Sequence, residues 1–232
     1  MTNLTKITLS AVTIALLSGC GDTTINQAPS TVTITGDTIG DTITTSAAND
    51  SGEEVAADSI IKDTSSLKQE TLSGNIDKDM TLTSDTVWTL DGLVVVESGV
   101  TLTIEPGTIV AGLDGTGDAT SYMIVDKNAK LIAEGTKEDP IIFTSTKRLA
   151  NPTSAEVGQW GGLTIIGNAG NDQVQPYEVN SAFTAGTSNP NDSSGILRNV
   201  YILNSGITME QDKEINGLSF VGVGSGTIVE NI

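Results

Sequence analysis

Residues 94–105 (VVVESGVTLTIE) align without a gap on residues 123–134 (MIVDKNAKLIAE), at an offset of 29 residues. Each copy holds a β-branched run, an acidic residue, a corner at Gly99 or Asn128, a second run, and then a glutamate before a glycine-containing turn. Gly and Asn are the residues that tolerate the left-handed backbone of a sharp corner. Matching corners at matching positions imply stacked coils. Residues 112–120 (GLDGTGDAT) have the composition of a loop inserted at one corner, and removing them leaves about 21 residues per coil, the size of a solenoid rung.

The surrounding sequence fits that reading. From Asp79 onward short β-branched runs recur, each broken by Gly, Asn, Asp or Pro: residues 80–83, 93–96, 101–104, 108–111, 123–125, 130–133, 141–144, 163–166, 200–203, 218–221 and 227–229. Such punctuated runs read as strands, and no stretch here holds a helical period. Aromatic residues make up only 3% of the chain. A core of stacked aliphatic rows needs few large rings. The expected fold is all-β, a parallel β-helix over residues 79–232.

The segment before it has a different character. Residues 21–78 are rich in Thr, Ser, Asp, Asn and Gly, with single scattered apolar side chains, too few to offset the entropy of ordering the chain. They read as a disordered, flexible linker. At the start, one positive charge at Lys6 precedes the apolar residues 7–17 and then Leu17-Ser18-Gly19-Cys20. The apolar run is shorter than the roughly 20 residues needed to span a bilayer and reads as a signal-peptide core. Cys20 is the only cysteine, so an intramolecular disulfide is impossible.

Residues 17–20 resemble the lipobox of bacterial lipoproteins, whose cysteine becomes the acylated first residue. The resemblance implies a signal peptide over residues 1–19, lipidation of Cys20, a lipidated linker over residues 20–78, and a membrane partner reached through the lipid. Gly21 stands where Asp commonly signals inner-membrane retention in enteric bacteria, so the expected location is the cell envelope at the outer membrane.

With 29 acidic and 11 basic residues the net charge is −18, which repels nucleic acid and anionic headgroups. DNA and RNA are not expected partners. The chain has no histidine, which removes Ser-His-Asp and Cys-His catalysis and imidazole metal sites.

Three phrases, LTIEPGT at residues 102–108, KLIAEGT with PIIFTS across 130–145, and WGGLTIIGNA at 160–169, stand in the order found in a group of bacterial envelope proteins with right-handed β-helix repeats, the pectin-lyase-like fold. The resemblance covers roughly residues 80–232 and implies the fold, which hosts both enzymes and binding proteins. Lyases on this fold use calcium with an Arg or Lys base, and glycosidases on it use clustered carboxylates.

Asp114 and Asp118 face each other across the glycine-rich insertion, where carboxylate and carbonyl oxygens would suit calcium as a cofactor; the alternative is a solvated acidic loop. Residues 189–195 (NPNDSSG) offer further oxygen ligands or a plain turn. Lys147, Arg148 and Arg198 read as solvated surface. Trp160 is assigned to packing over a rung, with sugar stacking as the alternative. The chain stops inside an apparent strand and corner, and a fragment lacking C-terminal rungs is the expectation.

The expected function is non-catalytic binding, adhesion or display on a lipid tether, with a glycan or surface protein as partner. The alternatives are a carbohydrate-active enzyme with its site on missing rungs and a structural envelope component. The residues leave the oligomeric state open.

Overall fold

The computed structural model describes residues 60–170, 176–186, 189–210 and 213–232. Fifteen strands are present among them: β1 (Lys68–Ile76), β2 (Met80–Leu82), β3 (Thr86–Val96), β4 (Thr101–Ile104), β5 (Ile109–Gly112), β6 (Tyr122–Val125), β7 (Lys130–Glu134), β8 (Ile141–Ser145), β9 (Leu163–Ile166), β10 (Gly195–Arg198), β11 (Val200–Ile202), β12 (Ile207–Glu210), β13 (Lys213–Ile215), β14 (Leu218–Val221) and β15 (Ile228–Glu230). One short helix, α1 (Thr146–Ala150), is capped by Ser145, whose side chain accepts from the Arg148 N–H.

The long strand β3 explains the architecture. Its first half pairs with β5 through Val87 to Leu90, and its second half pairs with β6 through Leu93 to Val96. Between the halves Gly92 takes φ +67°, and the register of neighbouring β1 breaks at Gly74, φ +65°. Glycine is the residue that bends here without steric cost. The eight-stranded sheet is therefore folded along a glycine line into two faces. The first carries β1, β3, β5, β8 and β11; the second carries β1, β3, β6, β9 and β14. A third face is the sheet β2–β4–β7–β10–β15. All ladders in the three faces are parallel; the small hairpin β12–β13 is antiparallel. This is a three-sided parallel β-helix.

Two corners foreseen in the repeat behave as their chemistry demands: Gly99 has φ +87° and Asn128 φ +66°. Asn199 and Asn231 occupy the left-handed region at another corner, where Asn231 donates to Asn199 and Asn199 donates to the Gly135 carbonyl. Side-chain amides thus stack from rung to rung and meet polar groups the strands leave open. Where no insertion intervenes the rung advances 22 residues, from Met80 to its partner Leu102.

Alternate side chains point inward. Leu82, Ile104, Val94, Met123, Leu131, Leu163 and Leu197 belong to one continuous core. Each such fully buried aliphatic side chain contributes roughly 1.5–3 kcal/mol of transfer free energy.

The linker expected over residues 20–78 extends too far. β1 pairs with β3 along its whole length, and residues 60–67 lie on the outside of the first face, where Ile60, Ile61 and Leu67 pack against Val87, Ile109 and Ile142. Only Leu72 and Ile76 of β1 are buried, so an apolar alternation is missing and the strand is held by its backbone ladder. Residues 1–59, with Cys20 and the expected signal peptide, lie outside the described residues.

Candidate binding face

The insertions fall at particular corners. Residues 113–121, 146–162 and 203–217 all join the first face to the second, in three successive rungs. Residues 167–194 join the second face to the third. Between the third face and the first, every connection is short, down to the single residue Asn199 between β10 and β11.

The long insertions cover two of the three faces. On the second, the outward side chains Tyr122, Ile124 and Ile166 form a separate core with Tyr177 and Ala185 from one insertion and Ile215 from another. The Thr164 hydroxyl donates to the Tyr177 hydroxyl at 3.1 Å, and burial pushes both tyrosine phenols above their ordinary pKa. On the first, the outward Val87, Ile109 and Ile142 lie beneath residues 60–67, Leu149 of α1 and Leu203. On the first face Tyr201, in register with Ile142, stays 40% exposed, so the cover there is partial.

The third face is different. Its outward central row, in register across the five strands, is Thr81, Thr103, Ile132, Ile196 and Ile228. Thr81 and Ile228 are exposed and the middle three half-buried, and among the described residues no second core forms over them. Beside this row Arg198 bridges two rungs: it donates through one terminal nitrogen to Glu134 and through Nε to Glu230 at 2.8 Å. The Glu230 hydrogen bond, its charge, and then Glu134 raise the Arg198 pKa above its ordinary value. Both carboxylates favour the charged form of that guanidinium. The face offers an apolar stripe with a charge ladder along one margin.

The structure separates the other candidates. The Asp114 carboxylate pairs with Lys147 at 2.9 Å, tying the first insertion to α1. Asp118 sits in the 3-10 turn Gly117–Ala119, where its charge acts on the Tyr122 phenol. Among the described residues no group of three or more Asp, Glu, His or Cys side chains is placed to hold a metal. In the 189–195 segment, Asp192 accepts from the Asn168 N–H at 2.9 Å and Asn191 accepts from Ser225, so these oxygens serve the corner.

Arg148 is a correction. It was expected on the surface, yet it is buried, with its backbone N–H on Ser145 and a guanidinium nitrogen on the Ser154 carbonyl. The loop of residues 146–162 closes around it, which a reading of strand runs alone does not foresee. Trp160 is fully buried, stacks on Phe143 with ring centroids 6.4 Å apart and an interplanar angle of 10°, and donates to the Leu203 carbonyl at 2.8 Å. It packs, and no sugar reaches it.

The residues of the open strip were absent from the sequence-based candidates. The repeat alignment does place Thr103 opposite Ile132, so the first part of the row was available from it; the ladder to Arg198 was hidden by the long insertion before β10.

Residues 74–232, more than half of the chain, match the family described as the pectate-lyase like beta helix domain. No curated protein and no solved structure matches the chain. The rungs, the glycine-folded sheet and this match agree, and the chain belongs to the family of pectate-lyase-like beta helix domains.

Proposed function

We propose that this protein is a lipid-anchored component of the bacterial cell envelope that binds without catalysis, through its third face. One observation supports the reading: two faces carry apolar cover from the chain's own segments, while among the described residues no such cover forms over the third. The anchor rests on the sequence of residues 1–20, and the outer membrane remains the proposed location. A net charge of −18 repels polyanions, pectate among them, so an uncharged glycan or a basic protein surface fits better. Neither arginine supports a lyase base, since Arg198 is held between two carboxylates and Arg148 is buried.

The test is retention of the purified full chain on isolated envelopes and on neutral polysaccharides, compared with Ile196→Asp. Loss of retention in the variant at unchanged circular dichroism supports the reading. Release of soluble sugar from any polysaccharide, above all release that a calcium chelator abolishes, would replace it with an enzyme.

A further inference from the structure

Residues 60–67 are the first described part of the chain, and their course is unusual for a segment leading into a solenoid. Leu67 adjoins β1, in the first rung. Lys62, five residues earlier, reaches Asp139, whose carbonyl accepts from the Gly107 N–H at the start of the third and fourth rungs. The segment therefore runs along the outside of the first face, across the rungs of β3, β5 and β8, before turning back into β1. Its grip consists of three half-buried apolar side chains and one ion pair whose partners are 56% and 51% exposed. Exposed ion pairs hold little. β1, by contrast, is fastened by a nine-residue parallel ladder.

These two fastenings are in series. We infer that residues 60–67 form a clasp released by tension on the chain that precedes it, uncovering an apolar strip that spans three rungs. Load entering at Ile60 reaches the end of the clasp farthest from β1, so the contacts at Ile60, Ile61 and Lys62 yield one after another, while β1 resists as a unit. Release leaves the solenoid folded and removes Ile60, Ile61 and Leu67 from Val87, Ile109 and Ile142, with Leu149 and Leu203 as their remaining cover. In the envelope the load would come from the proposed lipid anchor; the clasp itself does not depend on that reading.

Cys20, the sole cysteine, is a ready handle in unacylated full-length protein. Pulling between Cys20 and a tag at the C-terminus should give a small low-force lengthening, on the order of the 28 Å contour of eight extended residues, before the cooperative rupture of the rungs. The double variant Ile60→Ser/Ile61→Ser should lose that step, keep its circular dichroism, and bind an apolar fluorescent dye several-fold more strongly at rest. Rupture without a preceding step, a step that survives in the variant, or no gain in dye binding would each overturn the clasp. Acylation of Cys20 in cells is scored separately, so failure of the anchor does not mimic failure of the clasp.

Discussion

Replacing Trp160 tests whether the insertions are part of the solenoid's core or ornaments on it. The indole fills the space left by the missing side chain of Gly112: a Cβ placed there would lie 2.7 Å from the Trp160 Cβ. It also stacks on Phe143 and ties the 146–162 insertion to the next one through Leu203. Trp160→Ala removes this whole contact and leaves a cavity at a fully buried position beside Phe143 and Gly112. Truncations of this kind cost about 3–5 kcal/mol. Against a total stability of about 5–15 kcal/mol for a domain, that is a severe loss.

Trp160→Phe keeps a ring against Phe143 but gives up the indole donor, leaving the Leu203 carbonyl without it, at a cost of about 1–2 kcal/mol. Thermal and urea unfolding followed by circular dichroism should rank wild type above Phe above Ala. At about 2–4 °C per kcal/mol for a domain of this size, the alanine variant should melt about 6–20 °C lower. A surface tryptophan kept for sugar stacking would show the reverse pattern, with stability changed by about 0.5 kcal/mol or less and binding abolished. An alanine variant within 1 °C of wild type would refute the packing argument.

Two further tests address the corners and the first rung. Asn199 has φ +48° and holds the amide ladder, so Asn199→Gly should lose the hydrogen bonds alone, while Asn199→Ala should lose about 1–2 kcal/mol more; equal losses in urea titrations would sink the assignment. Asp85 accepts from Lys68, Thr83 and Thr86, and these bonds hold its carboxyl well below the ordinary 3.8. A depressed carboxylate stabilises fully above its unfolded pKa and loses that contribution as the pH falls through the folded one, so acid unfolding below about pH 4 should be less steep in Asp85→Asn; an unchanged acid limb would count against it.

The fold was legible because a solenoid writes its geometry into the sequence as a period. Gly99 and Asn128 mark the same corner one rung apart, and the apolar runs beside them become β3, β4, β6 and β7. What stayed hidden lacked that signature. β1 carries mostly polar side chains because it is the first rung and buries little, so composition assigned it to a linker. β10 is short and follows an Asn, Asp and Ser-rich corner that disguises it. The hairpin β12–β13 lies in an insertion outside the rung pattern altogether. Arg148 and Trp160 divided for a similar reason: the family phrase placed Trp160 at a packed corner, whereas nothing near Arg148 announced that a loop would close over it.

The bareness of the third face follows from where extra chain was tolerated. In a solenoid the strands must keep register, but a corner may lengthen at a cost that grows only slowly with loop length. Insertions at the corner between the first and second faces can fold back over either, and 203–217 does so by contributing Leu203 to one and Ile215 to the other. The third face borders that corner nowhere. Its two margins carry connections of six residues or fewer in every rung except one, and the exception, residues 167–194, packs Tyr177 and Ala185 onto the second face. A strip that remains open while its neighbours are closed, with isoleucines half exposed and a charge ladder beside them, carries apolar surface that a solvated face does not need. Under the proposed binding role, Ile132 and Ile196, at the centre of the stripe, are where contact with a partner should be most sensitive to substitution.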